Sequence, residues 1–394
     1  MTRQDGFSLV ELLIASLITL VVVGGAFALA APAQRMFQAQ PEAADMQQRM
    51  RVAVDALRRD LVMAGAGTYA GPALGPLNDI IAPVMPFRAF GDTPDQSQNT
   101  FFRSDAISFL YVPSTPSQTS LSTALAAGAL DPLIETPPNC PLTSSQQVCG
   151  FASGNHALLV DAAGNWDVYS VNQVVNGAMT LQHRGQPSST SYPVGSAVSE
   201  IRAGSYFLKS DVTTGTYQLM RHDGWTTELP LVDEVVGLEF RYFGVAQPPQ
   251  LTGAPLDIAP GPWTTYGPAP PPLGLSRGSW PAGENCVFAV VNGAHVTRLT
   301  TIAPGSLTLV ELTSSTLTDG PWCPDAVSLN RFDADLLRVR RIHVSLRVQS
   351  ALASLRGPAG VLFAHGGTAR TADRYLPDLV VQFDITPRNL NLAR

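Results

Sequence analysis

The chain begins MTRQDGFSLVELLIASLITLVVVGGAFALAAPAQR, and after Glu11 no charged residue occurs until Arg35. Residues 12–34 therefore form an uncharged run of 23, and it is almost wholly apolar. At 1.5 Å per residue, a helix of that length extends about 34 Å, enough to cross a hydrocarbon core of about 30 Å. So much apolar surface has to be cleaved off, inserted in lipid or covered by other subunits.

Glu11 marks the edge of this run. A carboxylate inside a membrane helix is unfavourable, by roughly 2.5–3.5 kcal/mol at its centre, and ionisable residues there usually have a partner. A secretory signal peptide would account for the apolar run, and Ala28-Leu29-Ala30 has the small-residue pattern of a cleavage site. However, the run exceeds the usual 7–15 residues, Arg3 is offset by Asp5, and Glu11 would interrupt the apolar region. The order Gly6-Phe7-Ser8-Leu9-Val10-Glu11, with a short polar leader before it and a long apolar run after it, resembles the processing site of type IV pilins and pseudopilins. The resemblance implies cleavage after Gly6 by a prepilin peptidase and N-methylation of Phe7 as the new N-terminus. It also implies an assembly role for Glu11, facing the positive N-terminus of a neighbouring subunit. An ammonium and a carboxylate that must both leave water do so at least cost as a pair.

Residues 42–64 continue as an amphipathic helix. Met46, Met50, Val54, Leu57 and Leu61 recur at spacings of three and four and predict one apolar stripe. Arg49, Asp55, Arg58, Arg59 and Asp60 are assigned to the other faces, with Asp55 in reach of Arg58 or Arg59. Gly65 and Gly67 end the pattern. Gly24-Gly25, Pro32 and Pro41 are the points at which the long helix could bend. The stretch ALRRDLVMAGAGTY is similar to the end of this helix in PilW-like minor pilins and J-type pseudopilins.

The rest of the sequence has a β character. Leu238, Phe240 and Tyr242 alternate with Glu239 and Arg241. Ile342, Val344, Leu346 and Val348 alternate with polar residues, as do Leu379, Val381, Phe383 and Ile385, apart from Val380. Period-two alternation predicts strands with one buried face, which an amphipathic helix can cover. Further strands are expected at 106–112, 156–161, 166–171, 178–183, 205–209 and 216–221. HALLVDAAGNWDVYSV, LPLVDEVVGLEFRYFG and YLPDLVVQFDITPRNL resemble PilW-like sequences in order and kind. The expected fold is thus α+β and pilin-like. The expected organisation is a leader at 1–6, a transmembrane or filament-core helix at 7–34, and its amphipathic continuation at 35–67. A β head follows at 68–243 and 336–394, interrupted by an inserted proline-rich loop and small β subdomain at 244–335.

The four cysteines, Cys140, Cys149, Cys286 and Cys323, show no C-x-x-C spacing and no nearby histidine. This argues against zinc and, in an exported chain, for disulfides. Three connectivities are open; we expect the local pairs Cys140–Cys149, within a Ser-, Thr-, Pro- and Ala-rich stretch at 113–150 that also looks inserted, and Cys286–Cys323, within the insertion at 244–335.

The composition also narrows the chemistry. Charged residues are 14% of the chain and the net charge is −6, which disfavours a general nucleic-acid binder. Arg338, Arg340, Arg341 and Arg347 could still form a local basic strip. Gly274-Leu275-Ser276-Arg277-Gly278 matches G-x-S-x-G, and His365-Gly366-Gly367 is oxyanion-like. The serine, however, lies between prolines rather than between a strand and a helix. Asp161, Asn165 and Asp167, or Asp333 and Asp335, are explained by solvated turns without calcium. No phosphate-binding G-x-x-x-x-G-K-[ST] loop occurs. We therefore expect no catalysis, metal or cofactor.

The resemblance implies a minor pilin: a single-pass inner-membrane protein with a periplasmic head that passes into the pilus at the cell surface. Its implied partners are the prepilin peptidase, the major pilin, other minor pilins and, where one exists, a large tip adhesin. A J-type pseudopilin of a type II secretion system and a DNA-uptake pilin are the alternatives.

Overall fold

The computed structural model describes residues 8–67, 82–86, 104–114, 117–138, 140, 146–161, 166–183, 191–211, 215–224, 227–246, 288–291, 294–297, 308–318, 322–324, 331–356 and 376–390. One helix, α1, runs from Leu9 to Met63, 55 residues or about 82 Å. It is continuous through Gly24, Gly25, Pro32 and Pro41.

By packing, the chain divides into two units, Met1–Arg51 with Arg347–Val380, and Val52–Leu346 with Val381–Arg394. In the first, Met46, Met50 and Leu355 are buried. The buried carboxylate of Glu42 accepts the Ala351 amide, and Arg49 reaches Glu42 at 3.7 Å and also pairs with Asp45. Arg347 Nε donates to Asp378 at 2.6 Å.

In the second unit α1 buries Ala53, Leu57, Asp60, Leu61 and Ala64. This corrects the expected stripe: Ala53 is fully buried where Val54 is only half-buried, and Asp60 faces inward with the leucines. The helix ends at Met63, and Gly65 just beyond it has a φ of +75° and an amide that donates to the Leu110 carbonyl at 2.9 Å. At Gly67, with φ +86°, an added Cβ would lie 2.6 Å from the Val112 carbonyl oxygen. Both glycines thus take a left-handed turn that favours glycine, and at Gly67 the approach to Val112 leaves no room for a side chain.

The larger sheet has nine strands: β1 (Val84–Pro86), β2 (Ile107–Tyr111), β3 (Gln118–Ser120), β4 (His156–Val160), β5 (Trp166–Val175), β6 (Ala178–His183), β7 (Ala197–Asp211), β8 (Thr216–His222) and β9 (Glu228–Asp233). Its main order is β1-β2-β7-β4-β5-β6; β3 also pairs with β7, and β8 pairs with both β7 and β9. The pairings within this sheet are antiparallel, so the chain can return through short turns such as Asn176-Gly177, both at positive φ. Leu121, Leu125, Val148, Phe151, Leu159, Tyr169, Val171 and Leu181 form a core on one face of this sheet.

The second sheet contains β10 (Val235–Val245), β11 (Leu309–Leu312), β12 (Val339–Val348) and β13 (Leu379–Ile385), in the order β11-β10-β12-β13. Leu238, Phe240 and Tyr242 on β10, and Ile342, Val344, Leu346 and Val348 on β12, are all buried, as their alternation predicts. β13 is an edge strand, and of its apolar set only Ile385 is buried. Leu309–Leu312 lies within the stretch expected as a separate insertion, yet it pairs with β10 in the register Tyr242↔Leu312 to Val245↔Leu309. Phe288–Val291 and Ala294–Thr297 form a separate two-stranded ribbon, as do Trp322–Pro324 and Arg331–Asp333.

Candidate functional site

The described chain starts at the helix N-terminus, where Ser8 is the capping residue. Its Oγ accepts the Val10 amide at 3.3 Å, and its own amide donates to Glu11 Oε2 at 3.0 Å. Ser8-x-x-Glu11 is thus arranged as a capping box: two backbone N–H groups that the helix cannot satisfy are taken up by its own side chains. The carboxylate also lies at the positive end of the helix dipole. Gly6 and Phe7 lie outside the described residues.

From Leu9 to Ala28 the helix has no cover within the chain. Leu9–Ala28 has a mean hydropathy of 2.4 and none of it is buried within the chain. Its two described hydroxyl side chains turn back on the helix: Ser16 Oγ donates to the Leu13 carbonyl at 2.9 Å and Thr19 Oγ1 to Ala15 at 2.7 Å. With those groups satisfied, the surface beyond Glu11 is suited to an environment without water. By composition this segment anchors the chain in a membrane or packs among other apolar helices.

At the other end of α1 the sheet holds the helix by polar contacts. The Tyr206 hydroxyl donates to Asp60 Oδ2 at 2.7 Å, with the Ala56 carbonyl 3.1 Å away. Arg221 Nε donates to the same carboxylate oxygen at 2.9 Å. Burial, then the Asp60 charge, pushes the Tyr206 phenol well above its usual range, so it remains a donor. Burial would lower the Arg221 guanidinium, but Asp60 outweighs it and the net shift is upward. The sequence did not reveal this group because Asp60 is charged and was placed on a face other than the apolar stripe. The available signal was its spacing of three from Leu57 and four from Ala64.

On the second sheet Arg241 grips Glu311 with Nε at 2.8 Å, and the Glu311 carboxyl is held below its usual range by that hydrogen bond. Phe243 lies under two guanidinium groups, Arg341 at 4.6 Å and Arg241 at 5.6 Å. His343 Nδ1 is 2.7 Å from Asp384.

The four arginines of the possible basic strip are already engaged. Arg338 is buried against Asp335 at 2.9 Å and the Val245 and Ala246 carbonyls. Arg340 donates to the Leu337 and Val339 carbonyls, Arg341 approaches Asp384 at 3.6 Å, and Arg347 holds Asp378. Cys140 and Cys149 form a disulfide with a Cα–Cα distance of 4.9 Å. Cys286, the side chain of Cys323, the G-x-S-x-G segment and His365-Gly366-Gly367 lie outside the described residues. Among the two acidic groups considered for calcium, Asp167 accepts the Val168 amide and Asp335 is ion-paired with Arg338; Asn165 and the Asp333 side chain also lie outside the described residues.

Residues 1–27 match the family model of the prokaryotic N-terminal methylation motif. Comparisons with curated proteins and with solved structures gave no match. The motif match supports a protein like the type IV pilins and pseudopilins. It implies processing by a prepilin peptidase and assembly with other such subunits.

Proposed function

We propose that the chain is a PilW-like minor pilin, a non-catalytic subunit that helps initiate a type IV pilus and stays at or near its tip. The observation that carries this reading is the division of one helix. Its first twenty residues, which lie almost wholly within a methylation motif, are uncovered, while its last turns are fastened to a sheet. Such a helix joins an assembly through its free half and displays the head outside it. The head is large and its strands are elaborated by long connections, which suits a cap better than a repeating position in a shaft. The chain would begin as a single-pass inner-membrane protein with its head in the periplasm. The prepilin peptidase, the major pilin, other minor pilins and a tip adhesin would be its partners.

The nearest alternative, a J-type pseudopilin, shares the same N-terminal logic. A DNA-uptake pilin is less favoured by the acidic charge and by the engagement of Arg338, Arg340, Arg341 and Arg347. The test is an in-frame deletion in the native host, with surface filaments and secreted proteins both measured. Loss of filaments with secretion intact, and a small amount of the subunit in sheared filaments, is the expected result. Intact filaments with lost secretion would assign the chain to a secretion system instead.

A further inference from the structure

Where α1 meets the larger sheet, a cleft of about 560 Å³ opens beside the Asp60 group. Its lining includes Arg59 and Asp60 from the helix, Tyr111 from β2, Arg202 and Tyr206 from β7, and Arg221 from β8. Arg221 is committed to Asp60, which is the only acidic residue among the described residues of the lining. Arg59 and Arg202 are exposed, and neither makes an ion pair or side-chain hydrogen bond with the described residues. The cleft therefore carries two uncompensated guanidinium groups in a protein whose net charge is −6. The two tyrosine rings are buried and supply a firm floor.

We infer that this cleft is a docking site for a carboxylate-bearing peptide segment of a protein partner, held by the Arg59 and Arg202 forks over Tyr111 and Tyr206. Guanidinium groups recognise carboxylates by paired, charge-assisted hydrogen bonds. An acidic side chain or chain terminus needs only a local positive pocket. A nucleic acid approaches as an extended polyanion and meets the acidic field of the whole protein. Charge complementarity thus favours the peptide. That the peptide comes from a fellow subunit rests on the pilin reading; the chemistry of the cleft does not.

The test uses full-length protein in detergent and fluorescence anisotropy at low ionic strength. The probes are a labelled hexapeptide with three glutamates, its glutamine counterpart and a short oligothymidylate. The glutamate peptide should bind saturably, and the glutamine peptide about tenfold or more weaker. Arg59→Gln with Arg202→Gln should weaken the glutamate peptide by a similar factor and leave the melting temperature unchanged, because both side chains are exposed and make no ion pair among the described residues. Arg51→Gln with Lys209→Gln removes the same charge from exposed positions outside the cleft and should leave binding unchanged. No binding of the glutamate peptide, equal loss in both double variants, or tighter binding of oligothymidylate would overturn the proposal. Mass spectrometry of the same preparations reports processing at Phe7 separately, so failure of the cleft and failure of the pilin reading are distinguishable.

Discussion

The Tyr206 hydroxyl lies 2.7 Å from Asp60 Oδ2, joining the last turns of α1 to the middle of β7 across 146 residues of sequence. Asp60 is 8% exposed and Tyr206 1%, so this hydrogen bond and the Arg221 contact offset the desolvation of a carboxylate placed among leucines.

Two substitutions separate the contributions to that contact. Tyr206→Phe removes one donor but leaves Asp60 paired, and should cost about 2 kcal/mol. Arg221→Leu leaves the carboxylate without its counter-charge and should cost more, about 3 kcal/mol. Chemical denaturation of the two variants gives the order. A larger loss for Tyr206→Phe would mean that Arg221 is better hydrated than its 28% side-chain exposure suggests.

Much of the architecture is legible in the sequence, and the parts that are not share a cause. The β12 face Ile342, Val344, Leu346 and Val348 reads at once, because every inward position is apolar and every one is fully buried. β7 reads poorly: only 205–209 was expected of Ala197–Asp211. Its buried face includes Ser199 and Ser205, and Ser205 is satisfied by Ser108 of β2 at 2.8 Å. Gly204 leaves room for the Phe109 ring, which an added Cβ would approach to 2.5 Å. Asp60 was hidden for the same reason. Burial secured by a partner on another element has no local hydrophobic signature. The N-terminal motif was the most legible, because it is one contiguous pattern, matched over residues 1–27, and needs no partner from the rest of the fold.

Glu11 has two separable tasks, helix capping and charge pairing. Glu11→Gln keeps an acceptor for the Ser8 amide but removes the charge, whereas Glu11→Ala removes both. Both variants should be inserted and cut to a methylated Phe7, with the mature N-terminus checked by mass spectrometry. If Glu11 pairs with a neighbour's N-terminal ammonium, both should enter filaments poorly. Normal incorporation of Glu11→Gln would reduce the residue to a cap.

His156, at the start of β4, is held below its usual value by burial, against the opposing influence of Asp223 and Glu200. The neutral ring is thus the form the fold prefers. As pH falls below about 6.5, the unfolded chain takes up this proton first and stability declines. The decline ends once the pH is below the folded value. His156→Gln removes this component, so the melting temperature of the variant should fall less than that of the native chain between pH 7.5 and 5.5. Calorimetry on both proteins over that range gives the comparison, and parallel curves would count against a half-buried histidine held neutral by the fold.

The Cys140–Cys149 bridge closes a loop of nine-residue separation onto a core that includes Cys149, Val148 and Phe151. Cys149 and Gly150 have φ of 47° and 82°, the left-handed pair of a tight turn between Gln147–Val148 and Phe151–Ala152. Two effects should therefore appear on mutation. Loss of the cross-link frees the unfolded chain and should cost about 3 kcal/mol on chain-entropy grounds. The replacement at 149 must also tolerate positive φ, which asparagine does better than other residues with a side chain and β-branched residues do worst. Cys140→Ser with Cys149→Asn should accordingly retain more stability than Cys140→Ser with Cys149→Val, although valine better matches the apolar surroundings. Denaturant midpoints of the two double variants, compared with the native protein under reducing and oxidising conditions, test both effects. If the valine variant is the more stable, packing of the thiol site outweighs the backbone preference of the turn.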